Sequence, residues 1–198
     1  MQIDVERIRA ALAAAHGPSS DFDLNPGLVL PSGRSLLSAA VLIGLWDRPA
    51  GTTLILTKRA SHLQHHPGQI AFPGGKVDQS DADLEATALR EAREEIGLPP
   101  NQVQVLGRLP AHETVTGFQI TPVLCHIKAD FTPIPQAGEV DEVFTVPLAH
   151  VLDPANYRVE RRVWRGEWRH FYAVPYGPYY IWGATARILR GLAEGLAQ

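Results

Sequence analysis

A chain of 198 residues with 45% hydrophobic composition suits one domain with a sizeable core, and residues 1–198 are read as a single domain. Its formal charge of −3 lacks the basic excess of a general nucleic-acid binder, and no uncharged apolar run approaches the roughly 20 residues that a bilayer crossing needs. One cysteine, Cys125, excludes an internal disulfide framework, and the N-terminus lacks the apolar core of a signal peptide, so a cytoplasmic protein handling a small molecule is expected.

Ile3, Val5, Ile8, Leu12 and Ala15 lie near helical spacing before a Gly-Pro-Ser-Ser break at 17–20, which predicts an appended N-terminal helix within residues 1–17. That helix is read either as a homodimer contact or as a cover for an open edge of the fold. The β-rich runs SAAVLIGLW (38–46) and TTLILTKR (52–59) flank the turn composition DRPAG and read as a hairpin. GQIAFPGGKVD follows as a short apolar strand stopped by Pro73-Gly74-Gly75. A helix is predicted from about Asp83 to Ile96, ended by Gly97 and Pro99. Strands are predicted in QVQVLGRL (102–109) and FQITPVLCHI (118–127), and YRVERRVW and WRHFYAV read as a hairpin around Arg165-Gly166-Glu167. The last segment, IWGATARILRGLAEGL, returns to helical spacing. Interleaved strands and helices with hairpin-length links predict a mixed sheet rather than a doubly wound parallel one.

The predicted helix at 83–96 carries Glu91, Glu94 and Glu95 on one stripe and Leu89, Ala92 and Ile96 on another, roughly opposite. Like charges at these spacings cost a few tenths of a kcal/mol per pair, and Arg90, one turn before Glu94, offsets only part of that. A solvated polar face is one explanation. The other is a site for Mg²⁺ or Mn²⁺, hard cations that take carboxylate oxygens and relieve the repulsion. Upstream, the glycine pair Gly74-Gly75 lets backbone approach a ligand closely, and backbone N–H groups in such turns suit phosphate oxygens.

The whole run GGKVDQSDADLEATALREAREEIG resembles the Nudix box, placed at 74–98, the signature of hydrolases acting on nucleoside diphosphates linked to another moiety. Arg90, Glu91, Glu94, Glu95 and Gly97 match it, with Ala92 and Leu98 at its apolar positions. Asp81 stands where the general box has glutamate, and the spacing from there to Arg90 is one residue longer. In LTKR, GQIAFPGG, Asp78, Asp81, TALRE and EEIG the chain is similar to the coenzyme A diphosphatase subgroup, across Ile55 to Gly97. EVDEVFTVPL (139–148) and IWGATARIL (181–189) are similar as well, whereas Ala60 replaces a usual serine and Gln64 a usual arginine.

That resemblance implies an α/β/α sandwich around a mixed β-sheet, with added N-terminal and C-terminal helices. It also implies a metal-dependent hydrolase cleaving coenzyme A or acyl-coenzyme A to 3',5'-ADP and a 4'-phosphopantetheine product. Glu91 and Glu95 are the expected principal metal ligands and Glu94 a ligand to a second ion; Glu91 is alternatively the base toward the attacking water. Arg90 is expected to orient a glutamate, Glu142 to act as base or extra ligand from a loop-like acidic stretch, and Arg59, Gly74 and Gly75 to meet substrate. His62, His65 and His66 would suit zinc only on a helix, and Pro67-Gly68 favours a loop. Arg161, Arg162, Arg165 and Arg169, interleaved with Trp164 and Trp168, either grip the adenine and extra phosphate of coenzyme A or form a basic hairpin with its tryptophans in the core. Trp182 and the final helix are read as packing. Two alternatives stand beside the coenzyme A reading: a diphosphatase for ADP-ribose, NADH or a related compound, and a nucleotide sensor without turnover.

Overall fold

The computed structural model describes Ile8, Leu12 and residues 17–28, 33–164 and 166–197. Within these, β1 (Ser19–Ser20), β2 (Leu37–Arg48), β3 (Gly51–Arg59), β4 (Ile70–Ala71), β5 (Gly74–Lys76), β6 (Val103–Arg108), β7 (His112–Glu113), β8 (Phe118–Ile127) and β9 (Val140–Pro147) form one mixed sheet. β10 (Arg158–Trp164) and β11 (Glu167–Ala173) form a separate antiparallel hairpin. The α-helices run over Leu84–Ile96, Leu148–Leu152 and Ala184–Leu196.

β2 is the axis of the sheet. It lies parallel to β8 from Leu37 to Trp46 but pairs with β3 only from Leu45 to Arg48. Beyond that point the two strands part: β5 takes the freed length of β2 at Ala39–Val41, and β4 takes β3 at Thr57 and Lys58. β9 lines β3, while β6 and β7 share β8. The predicted hairpin therefore forms, but it stays zipped only near its turn. Gly74 and Gly75, read as stopping a strand, are themselves in a strand. The reason is close approach: a Cβ at Gly74 would lie 2.5 Å from the Ala40 carbonyl oxygen and 2.6 Å from Val41 Cα. Only glycine lets this ladder close.

Period-2 alternation sends β-strand side chains to two faces, each with its own core. On one face Ala40, Leu42, Ile55, Val123 and Cys125 pack against Ala88, Ala92 and Ile96 of the acidic helix. On the other, Ile43, Leu45, Leu54, Leu56 and Leu124 meet Leu148, Val151, Ala186, Leu189 and Leu192. Helices thus cover both faces of a mixed sheet, the sandwich expected from the box. Leu189→Ala, which truncates a fully buried side chain, is expected to destabilise the protein by about 2–5 kcal/mol in chemical denaturation.

Of the predicted N-terminal helix, Ile8 and Leu12 are helical; Ile8 is buried in the second of these cores, and Leu12 packs over Gly107. The rest of that helix, and Arg165, lie outside the described residues. No described helix is long and apolar enough to cross a membrane.

Candidate active site

The acidic helix starts where Asp83 caps it: its Oδ1 accepts a hydrogen bond from the Ala86 N–H at 2.8 Å. It ends at Gly97, whose left-handed φ of 69° lets the N–H groups of Gly97 and Leu98 reach back to the Arg93 and Ala92 carbonyls. The face toward the sheet is built from small residues, Ala88 and Ala92, so the helix sits close to β2 and β5. That closeness divides the glutamate stripe: Glu94 is exposed, Glu91 half-buried, and Glu95 only 5% exposed.

Glu95 Oε2 accepts a hydrogen bond from the Gly74 N–H at 3.2 Å. Burial pushes the Glu95 carboxyl up to about 8; the Glu91 and Glu139 charges add to the rise, and the Gly74 bond and the Arg59 charge oppose it. The Glu91 carboxyl is also raised, first by burial and then by Glu94 and Glu139, against the pull of Arg90. Beneath it Gly75 leaves no room for a side chain, since a Cβ there would overlap the Glu91 carboxylate. Two carboxylates one turn apart, both with raised proton affinity, fit a hard divalent cation. Among the described residues no three His, Cys, Asp or Glu side chains already stand as a coordination shell.

Arg90 ties the stripe together. Its Nε and Nη2 grip both oxygens of Asp81 at 2.9 Å, and its Nη1 donates to Glu91 at 2.9 Å and to Glu94 at 3.0 Å. The bidentate bond to Arg90 is the main reason that the Asp81 carboxyl lies well below the usual range; the Asp78 N–H and the Thr87 hydroxyl add to it. Asp81 thus anchors the arginine that aims two glutamates, a role suited to its departure from the general box.

Elsewhere the structure redistributes the expected residues. A bulge between Lys58 and Arg59 interrupts the β3–β9 register, Arg59 Nε is buried with no hydrogen-bond partner, and the Arg59 charge acts on Glu95. Glu142 lies in strand β9, not in a loop, opposite Lys58. Its Oε1 accepts from the Tyr179 hydroxyl at 2.5 Å, and it lines a cleft of about 660 Å³ with Lys58, Gln69, Arg162 and Trp182. The carboxylate that acts on both Glu91 and Glu95 is instead Glu139, whose carbonyl holds the Ala60 N–H at 2.8 Å. Sequence reasoning missed it, although it opens the same acidic run, EVDEV, as Glu142. His62, His65 and His66 fall in a non-helical loop, with His66 at a φ of 55°.

A NUDIX domain model matches residues 36–165. The chain belongs to the Nudix family. A relative from Enterobacter sp. (strain 638), called "Uncharacterized Nudix hydrolase NudL", is 47% identical over 163 residues, covering 78% of this chain and 80% of the relative. A NudL of the same description from Salmonella paratyphi B (strain ATCC BAA-1250 / SPB7) is 47% identical over 155 residues, with the same coverage. The crystal structure of RenU, a Nudix hydrolase from M. smegmatis, shares the fold at a TM-score of 0.50 and 24% identity, covering 61% of this chain and 83% of that one. Membership makes this Nudix protein a hydrolase of phosphorus anhydrides in nucleoside diphosphate derivatives, a family that generally uses divalent cations such as Mg²⁺ or Mn²⁺.

Proposed function

We propose that this Nudix protein hydrolyses the diphosphate of coenzyme A or acyl-coenzyme A, releasing 3',5'-ADP and 4'-phosphopantetheine or its acyl derivative. The observation that carries the reading is how Ile55 to Gly97 folds. LTKR ends β3, GQIAFPGG carries β4 and opens β5, Asp81 holds Arg90, and EEIG closes the helix; the Gly74 N–H bonds Glu95, Gly75 lies under Glu91, and the Arg59 charge acts on Glu95, which supports the reading.

Mg²⁺ or Mn²⁺, held by Glu91 and Glu95 with Glu94 toward a second ion, would draw charge from the diphosphate and lower the pKa of the attacking water. The chain's own residues do the rest. Arg90 positions Glu91 and Glu94 and is itself fixed by Asp81. Glu91, with its raised proton affinity, is alternatively the base that takes the water's proton. The unpartnered Nε of Arg59 is a donor for a phosphate oxygen. Water oxygen bonds to phosphorus as the P–O anhydride bond breaks, with no covalent enzyme intermediate.

Hydrolysis of coenzyme A, ADP-ribose and NADH, each with Mg²⁺ or Mn²⁺, tests the substrate. Faster release of 3',5'-ADP from coenzyme A is expected. Faster cleavage of ADP-ribose or NADH would replace coenzyme A with another adenylated diphosphate, and binding without turnover would make the protein a sensor.

A further inference from the structure

The β10–β11 hairpin carries an arrangement that the carboxylate site does not use. Arg162 and Arg169 are directly opposite each other across the ladder, a like-charge pairing that destabilises a sheet. Arg169 turns inward, with its Nη2 reaching the Asp21 carbonyl at 3.5 Å and its charge close to the Asp21 carboxylate. Arg162 makes no ion pair among the described residues, and its guanidinium lies 4.3 Å from the centroid of the Trp182 ring. Glu160, two residues along the same face, accepts a hydrogen bond from the Tyr180 hydroxyl at 2.6 Å, and its charge and that of Arg162 both act on Tyr180. Trp182, read from sequence as packing, packs edge-on against Phe171 and also carries the Arg162 guanidinium over its ring. Trp168 is 55% exposed, which removes the reading of that tryptophan as core.

Arg162 and Trp182 face the cleft shared with Lys58, Gln69, Tyr180 and Glu142. Glu142 stands opposite Lys58 across the ladder, and Arg162 brings a guanidinium to the same cleft. The cleft also adjoins the carboxylate site: Gln69 O accepts the Arg59 N–H at 3.0 Å, and the Arg59 charge acts on Glu95. A substrate whose diphosphate meets Arg59 would extend past Gln69 toward Arg162, where an aromatic surface and a guanidinium stand together.

We propose that Arg162, laid over Trp182, reads a phosphomonoester that the substrate carries in addition to its scissile diphosphate, and so selects 3'-phosphorylated nucleotide conjugates over their dephosphorylated forms. This rests on the reading of the carboxylate helix as a diphosphate-hydrolysing site. A guanidinium binds a phosphate dianion through charge-assisted, often paired, hydrogen bonds, and its removal leaves the phosphate desolvated without a partner.

The test is the ratio of kcat/KM for coenzyme A to that for 3'-dephospho-coenzyme A, in the native protein and in Arg162→Gln and Arg162→Lys. Arg162→Gln is expected to lower that ratio by about 10- to 100-fold and Arg162→Lys to restore part of it. Parallel losses on both substrates, or an unchanged ratio, would overturn the proposal, because a merely structural arginine affects both alike. If the native protein hydrolyses neither compound, the hydrolase reading fails while the subsite is decided by calorimetry with 3',5'-ADP and AMP. Tighter binding of 3',5'-ADP that Arg162→Gln abolishes supports it; equal affinities sink it.

Discussion

Glu95→Gln is expected to lower metal-dependent release of 3',5'-ADP by about 1,000-fold, equivalent to roughly 4 kcal/mol of barrier, while making the metal-free protein more stable. The two effects share one cause. Glu95 is a buried carboxyl that, among the described residues, has one backbone hydrogen bond and no ion pair, so without a cation its charge is a burden on the fold. In the unfolded chain it titrates near 4.5, and in the folded chain near 8. Below pH 4.5 both states keep the proton and the residue is neutral in each. As pH rises from there to 8, the unfolded chain releases the proton and the folded one resists, so stability falls; beyond that the penalty is constant. Near pH 7 the penalty is of the order of 3 kcal/mol. Urea denaturation of the EDTA-treated protein at pH 5 and pH 8 checks this: the native chain should weaken toward pH 8, and Glu95→Gln should lose that dependence. Added Mg²⁺ should stabilise the native chain and leave the variant little changed. A variant that keeps both the pH slope and the Mg²⁺ response would remove Glu95 from the metal site.

The neighbouring glycines should separate folding from chemistry. A methyl group at Gly74 meets backbone, the Ala40 carbonyl and Val41 Cα, and backbone in the middle of a ladder cannot yield without opening it. Gly74→Ala is therefore expected to destabilise the protein by about 2–3 kcal/mol, a fall in Tm of roughly 2–4 °C per kcal/mol for a chain of this size, with loss of the Glu95 bond besides. At Gly75 the added methyl meets the carboxylate end of Glu91, a flexible group that can swing aside. Gly75→Ala should cost little stability but lower activity by about 10- to 100-fold, with a higher metal concentration needed for half-maximal rate, because the displaced group is an expected ligand. Thermal scans and metal titrations on the two variants read the contrast directly. Equal losses of Tm in both would mean that the Glu91 carboxylate is held more rigidly than its partners imply.

The limits of the acidic helix were legible in the sequence because they are local. Asp83 caps and Gly97 terminates through bonds spanning three or four residues, and the stripe of Glu91, Glu94 and Glu95 follows from helical spacing alone. The sandwich was legible through the resemblance to the box rather than through spacing, since β2 is a near-continuous apolar run buried on both faces. What spacing cannot assign is which part of a face becomes covered. Glu94 and Glu95 are adjacent and of the same residue type, yet one is solvated and the other is buried under Gly74, because β5 inserts where β2 and β3 part. The same long-range strand order put Glu142 on a ladder with the Tyr179 hydroxyl, left Glu139 beside the carboxylates, and laid Arg162 on Trp182. Sequence by itself determined the chemistry available and the helix that displays it. Tertiary structure decided which carboxyl is desolvated and which arginine is laid on an aromatic ring, because burial and ring contacts depend on groups brought together from distant parts of the chain.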